Sequence, residues 1–89
     1  MITVLFFGQL AEIATRELGQ SEITLQLPEN TSKITLSTLR LELAKKSATL
    51  AKAVNKPSNL CSINQVINQE ELMIKANDEV AFMSPLSGG

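Results

Sequence analysis

The stretch Ile2-Thr3-Val4-Leu5-Phe6-Phe7-Gly8 predicts how this chain begins to fold. β-Branched and aromatic residues dominate it, and such residues favour a β-strand. The run is apolar enough that we expect the strand to be buried on both faces. Gly8 follows as a breaker of regular structure, so the strand should end there.

Helical and extended patterns alternate after this first strand. Apolar side chains recur at helical spacing over residues 10–18, and Gly19 follows as a stop signal. Residues 21–27 alternate apolar and polar side chains, which predicts a half-buried strand ending before Pro28. The remaining segments are predicted as a loop at 55–59, strands at 60–63 and 66–67, a turn at 76–78 and a last strand at 79–83.

Residues 34–50 allow two interpretations. Thr35 can cap a helix. One face of that helix would carry Leu36, Leu39, Leu43, Ser47 and Leu50. The alternation of residues 39–43 also fits a strand, but Leu36 would then point to the opposite face from Leu39. The Leu-, Glu- and Lys-rich composition of the segment favours the helix. We therefore predict an α+β domain, with a sheet that carries its helices on one face.

Composition narrows the classes of function. The chain has 89 residues, with eight basic and nine acidic side chains, no histidine and one cysteine. The charge balance argues against a nucleic-acid partner, and the lack of histidine removes the commonest general base. One cysteine cannot form an intramolecular disulfide or a cysteine zinc cluster. No apolar run is long enough to span a membrane, and the start does not fit a signal peptide, so we expect a cytoplasmic protein without a bound metal.

Two groups of residues could be mistaken for reactive sites. Cys61 could carry sulfur, but its place in an apolar strand favours inert core packing. The acidic pairs at residues 70–71 and 78–79 do not favour acid–base catalysis, because adjacent side chains of a strand point to opposite faces. Asp78 is better explained as a turn residue.

The last ten residues carry the functional signal. They contain no charged side chain, and Gly88 and Gly89 are two of only four glycines. Pro85 has no N–H to pair, so the last strand should end near it, and the four residues beyond it reach on the order of 13 Å. Glycine can enter a narrow channel, and its acyl group cannot epimerise when its carboxylate is activated. We expect the Gly89 carboxylate to be a reactant that another protein activates, because this chain has no phosphate-binding loop.

Plainer interpretations of the same end remain open. Small terminal residues are often simply frayed. Phe82, Met83 and Leu86 could anchor a partner, but Phe82 fits the core equally well.

Three segments resemble the small subunits of molybdopterin synthase, which are ubiquitin-like sulfur carriers. They are residues 1–10, the triplet Ile63-Asn64-Gln65, and residues 77–89, which end in Pro85-Leu86-Ser87-Gly88-Gly89. The middle of the chain agrees in the order of its elements. One difference stands out: the family commonly has paired prolines after the aromatic strand end, and here Ser84 occupies the first of these positions.

The resemblance implies a β-grasp domain at residues 1–84, with its first and last strands central and parallel, and a flexible reactive tail at residues 85–89. It implies that a ubiquitin-activating-type adenylyltransferase uses ATP to adenylate Gly89, after which sulfur transfer gives a thiocarboxylate. The residues expected to contact partners are Phe82, Met83, Pro85, Leu86, Ser87 and Gly88. The tail would deliver sulfur to cyclic pyranopterin monophosphate in the large subunit of a heterotetramer, which holds the catalytic residues, while this chain binds no cofactor.

Three alternatives use the same sequence features. A sulfur carrier of another pathway, such as thiamin synthesis, would use the same tail chemistry, although such carriers are usually shorter. A protein modifier would join Gly89 to a lysine of a target protein. A plain interaction domain would give the tail no covalent role.

Overall fold

The computed structural model describes residues 1–67 and 73–84. In chain order the elements are β1 (Ile2–Phe7), α1 (Gln9–Leu18), β2 (Glu22–Leu25), β3 (Lys33–Thr35), α2 (Leu36–Lys46), α3 (Ala48–Val54), β4 (Leu60–Ile63), β5 (Val66–Ile67), β6 (Met73–Lys75) and β7 (Glu79–Met83). The acidic pair at residues 70–71 and the predicted tail at residues 85–89 lie outside the described ranges. Within those ranges no helix has the length and apolar character needed to cross a membrane.

Five strands form a mixed sheet in the order β2-β1-β7-β4-β5. Strands β1 and β7 are parallel neighbours, with Thr3 opposite Glu79 and Phe7 opposite Met83. The other three pairs in this sheet are antiparallel. Strands β3 and β6 form a separate two-stranded sheet. This arrangement confirms the ubiquitin-like β-grasp fold, in which the first and last strands pair in parallel near the middle of the sheet.

The core lies between one face of the five-stranded sheet and the helices. Strands β1 and β7 contribute alternate residues to it, and each helix contributes its apolar face. These core side chains are at most 2% exposed: Val4, Phe6, Leu10, Ala14, Leu39, Leu43, Leu50, Val80 and Phe82. Burying each large apolar side chain stabilises the fold by about 1.5–3 kcal/mol. The predicted placement of the helices on one face of the sheet is confirmed.

The predicted helix after Thr35 is confirmed, but it is divided in two. Thr35 caps α2 by accepting a hydrogen bond from the Thr38 amide at 3.1 Å. Ser47 then adopts an extended conformation, with φ −158° and ψ 115°, and interrupts the helix. Its hydroxyl accepts from the Leu50 amide at 3.1 Å and so caps α3. Strands β3 and β6 were not predicted, because each is only three residues long.

The expectation that the first strand is buried on both faces is wrong. Ile2, Val4 and Phe6 are buried, whereas Leu5 is half-buried and Phe7 is 49% exposed. The helices cover only the face to which the even-numbered residues of β1 point. The apolar residues on the opposite face of the sheet are therefore available for another role.

Candidate functional site: the end of strand β7 and the open face of the sheet

Strand β7 leads directly to the predicted reactive tail. Its last residue, Met83, lies between Phe7 of β1 and Leu60 of β4. The strand is therefore hydrogen-bonded on both sides up to its end. Ser84, the last described residue before the tail, therefore follows the central strand of the sheet rather than an edge strand.

Phe82 belongs to the core. Its side chain is 1% exposed, and its ring stacks on Phe6 with the ring centroids 5.9 Å apart. This burial corrects the expectation that Phe82 contacts a partner and supports the alternative that it packs inside the domain. Met83, the next residue, points to the other face and is half-buried.

Ser84 joins the end of β7 to the start of α1. Its hydroxyl oxygen accepts a hydrogen bond from the Gln9 amide at 2.7 Å. The same hydroxyl lies 3.5 Å from the Phe7 carbonyl oxygen, to which it donates. Gly8, at the N-cap of α1, supplies no side-chain cap. The sequence marked Ser84 only as a missing proline, and nothing local in it pointed to a partner 75 positions away.

Apolar residues predominate on the open face of the sheet next to this strand end, with the buried Ser62 among them. The register places six apolar residues on it: Leu5, Phe7, Leu60, Ile67, Ala81 and Met83. Three of these side chains are about half exposed, at 49% for Phe7, 45% for Leu60 and 54% for Ile67. Contiguous apolar surface of this kind marks interaction sites in soluble domains. Of these six residues, only Met83 was predicted as a contact residue.

A hydrogen-bond network fixes the other end of β7. The Asn64 amide donates to the Glu79 carbonyl at 2.7 Å, and the Glu79 amide donates to the Asn64 side chain at 3.0 Å. The Asn64 side-chain amide donates to one Asp78 carboxylate oxygen at 3.0 Å. The Lys75 amide donates to the other at 2.9 Å. The predicted turn role of Asp78 is confirmed.

The same network accounts for the acidity of Asp78. The backbone N–H of Lys75 lowers the pKa of this carboxyl most. The side-chain amide of Asn64 and the charge of Lys75 lower it further, whereas burial of the carboxyl opposes them. The side chain is 5% exposed. Asp78 is thus held as a carboxylate that accepts structural hydrogen bonds, which does not fit a general acid.

Cys61 is buried on the core side of β4, at 7% exposure. Burial raises the pKa of its thiol, and the nearby Arg40 charge only partly offsets this. The prediction of inert core packing is therefore confirmed. Across residues 1–67 and 73–84, no three histidine, cysteine, aspartate or glutamate side chains are grouped so that they could hold a metal ion.

Comparison with known proteins now decides the family. Residues 4–89 match the family model described as the ThiS family. The chain belongs to the ThiS family. A molybdopterin synthase sulfur carrier subunit from Haemophilus influenzae is 37% identical, and one from Escherichia coli is 32% identical. Each alignment covers 89 residues and all of both chains.

In this member of the ThiS family, Met83 and Ser84 are the last two described residues before the predicted tail. Strand β7 holds Met83 in place, two hydrogen bonds to Phe7 and Gln9 hold Ser84, and apolar residues of the open sheet face lie beside Met83. Gly88 and Gly89, together with Pro85, Leu86 and Ser87, lie outside the described residues. Their predicted roles stay predictions.

Proposed function

We propose that this chain is a sulfur carrier in molybdenum-cofactor biosynthesis and acts as the small subunit of a molybdopterin synthase. The observation that carries the proposal is its similarity, over all of both chains, to two proteins named as molybdopterin synthase sulfur carrier subunits. The chain ends in Gly88-Gly89, and four residues separate this pair from the end of β7, the strand at the centre of the sheet. In this proposal residues 1–84 form the domain and residues 85–89 form the reactive tail.

The Gly89 carboxylate is the reacting group in this proposal. A carboxylate oxygen attacks the α-phosphorus of ATP, which releases pyrophosphate and leaves an acyl adenylate. A sulfide-level nucleophile then attacks the acyl carbon, and AMP leaves with the bonding electron pair. The product is a thiocarboxylate, with one sulfur in place of one oxygen. A ubiquitin-activating-type adenylyltransferase supplies the ATP site, so this chain itself needs no cofactor.

The second half of the cycle takes place in the large synthase subunit. The thiocarboxylate sulfur attacks an electrophilic carbon of cyclic pyranopterin monophosphate. A C–O bond at that carbon breaks, its oxygen leaves with the bonding electron pair, and a thioester between Gly89 and the acceptor is formed. Water then hydrolyses this thioester, so that sulfur stays on the acceptor and the Gly89 carboxylate is regenerated. The large subunit holds the catalytic residues, and two copies of each subunit form a heterotetramer.

The open sheet face is the docking surface for the large subunit in this proposal. Met83 connects this surface to the tail, so a partner seated on Phe7, Leu60 and Ile67 would lie beside the point where residue 85 begins. A few side chains that become fully desolvated near the centre of an interface contribute most of its affinity. Pro85, Leu86, Ser87 and Gly88 would line the channel of the partner that receives Gly89.

The experiment that tests this function is an intact-mass measurement of the untagged chain after incubation with the adenylyltransferase, ATP and a sulfide source. We expect a species heavier by one sulfur in place of one oxygen, mapped to Gly89 by fragmentation. The control omits ATP and should give the unmodified mass. An unmodified mass in the complete mixture would contradict the proposal and favour a plain interaction domain. An adduct on lysines of other proteins would favour a protein modifier.

A further inference from the structure

We propose that Ser84 is a positioning residue, which fixes the direction in which the tail leaves the domain by capping helix α1 from the far end of the chain. The inference rests on the proposed function, because it concerns how the tail is presented to the activating enzyme. It adds a role for a residue at which the family pattern would have placed a proline.

The first observation is that helix α1 has no side-chain cap from the residue that precedes it. The first amides of an α-helix have no partner inside the helix and need one from outside. Gly8 has no side chain, so it cannot supply the usual oxygen at the N-cap. The Ser84 hydroxyl supplies an oxygen instead, at 2.7 Å from the Gln9 nitrogen.

The second observation is the close approach of the two segments. Gly8 has φ +66°, in the region where residues with a side chain are strained. A Cβ built on Gly8 would collide with the Ser84 hydroxyl oxygen. The glycine therefore lets the end of β7 lie directly against the turn between β1 and α1. With the Phe7 carbonyl as acceptor and the Gln9 amide as donor, Ser84 is held on both sides of Gly8.

The third observation is the position of Ser84 relative to the sheet. The register of β7 ends at Met83, so the sheet ladder does not hold the next residue. A proline would restrict the backbone here through its fixed φ. Serine has no fixed φ, but the two hydrogen bonds of the Ser84 hydroxyl restrict the position of this residue instead. When only a fraction of molecules is in the binding-competent arrangement, apparent affinity falls by that fraction. Ser84 thus raises the fraction of chains that present the tail in one direction.

The test compares Ser84→Ala with Ser84→Thr, which keeps the hydroxyl, and with Ser58→Ala as a matched control in an exposed turn. The first readout is the amide hydrogen exchange of Gln9, measured by NMR on the full chain. The second is steady-state adenylation by the activating enzyme, with the carrier concentration varied. For Ser84→Ala we expect exchange at Gln9 about fivefold faster, as for the loss of one hydrogen bond. We expect its KM to rise by a similar factor, about fivefold, with kcat unchanged.

Four results decide the proposal. The proposal would be supported if Ser84→Ala shows both changes, while Ser84→Thr and Ser58→Ala keep the wild-type exchange rate at Gln9 and the wild-type KM. Faster Gln9 exchange with an unchanged KM would overturn it and leave Ser84 as a structural cap only, and unchanged exchange would overturn it as well. A wild-type chain that is not adenylated at all would instead contradict the proposed function, and the positioning role would fall with it.

Discussion

The ring of Phe82 stacks on the ring of Phe6, with the centroids 5.9 Å apart and the ring planes inclined by 21°. The two residues are opposite each other in the parallel pair of β1 and β7. Offset aromatic pairs at this separation contribute about 0.5–1.5 kcal/mol beyond the area that they bury. The contact therefore joins the strand that starts the chain to the strand that carries the tail.

Replacing Phe82 should cost stability rather than partner affinity. We expect Phe82→Ala to lower the free energy of unfolding by about 3–5 kcal/mol, because it leaves a cavity at a side chain that is almost fully buried. Phe82→Leu should cost less and remain folded. Urea unfolding measures both effects. At a temperature where Phe82→Leu is folded, it should bind the large subunit as the wild type does, and weaker binding would show a docking role after all.

Replacing Leu60 on the open face should reduce partner affinity rather than stability. We expect Leu60→Glu to weaken binding to the large subunit by about 30-fold or more, the loss typical of a central interface residue. Leu41→Glu is the matched control, because Leu41 is 66% exposed on α2, which packs on the other side of the sheet. Both variants should unfold near the wild-type midpoint. Equal binding by the two variants, measured by titration calorimetry, would place the docking surface elsewhere.

The stability of the domain should depend on Asp78 at acid pH. Its pKa is lowered in the folded state, mainly by the Lys75 amide, and the unfolded value is about 3.9. The carboxylate therefore stabilises the fold above about pH 4, and this contribution is lost as the pH falls through the folded pKa. We expect Asp78→Asn to lower the free energy of unfolding at pH 7 by about 2 kcal/mol. Below pH 4 the free energy of unfolding of this variant should depend less on pH than that of the wild type. Glu29→Gln, in the loop after β2, is the control and should follow the wild-type curve. If Asp78→Asn keeps the full acid dependence, the network around Asp78 is not its source.

Sulfur transfer should depend on Gly89 and not on the cysteine. Adding one alanine after Gly89 should abolish thiocarboxylate formation and leave the melting temperature unchanged, because it replaces the reacting carboxylate by a peptide bond. Cys61→Ala is the comparison, since Cys61 holds the chain's one thiol, and it should retain the wild-type rate of transfer. Single-turnover sulfur release to the acceptor measures both. Transfer by the extended chain, or its loss in Cys61→Ala, would contradict the assignment of Gly89.

Local patterns predicted most of the fold. The strand before Gly8, the helix ended by Gly19 and the helix capped by Thr35 all form as their local signals indicated. The elements that the sequence did not predict depend on partners that are distant along the chain. Ile34 of β3 pairs with Ile74 of β6, and segments this short carry no periodicity of their own. The break at Ser47 could have been found, because serine is a favoured N-cap, but its place on the apolar face suggested a continuous helix.

The candidate site was only partly predictable for a related reason. The sequence predicted a reactive tail and a contact role for Met83 from local composition, and both stay predictions. It did not separate the buried from the exposed residues of β1, because Phe6 and Phe7 are the same residue type and only the placement of the helices decides which of them is covered. Ser84 and Gly8 could not be linked from the sequence either, since their contact exists only once β7 lies beside β1.

The parallel pairing of β1 with β7 also constrains how the protein is made. Contacts between the two ends of a chain form late and slowly, because the loop between them must be closed before any contact stabilises it. The middle of the sheet is absent until this closure occurs, so we expect folding to be all-or-none, without a stable half-domain. An incompletely folded chain would then have neither an ordered β7 nor the open sheet face, so any partner that docks on this face would bind only fully folded chains.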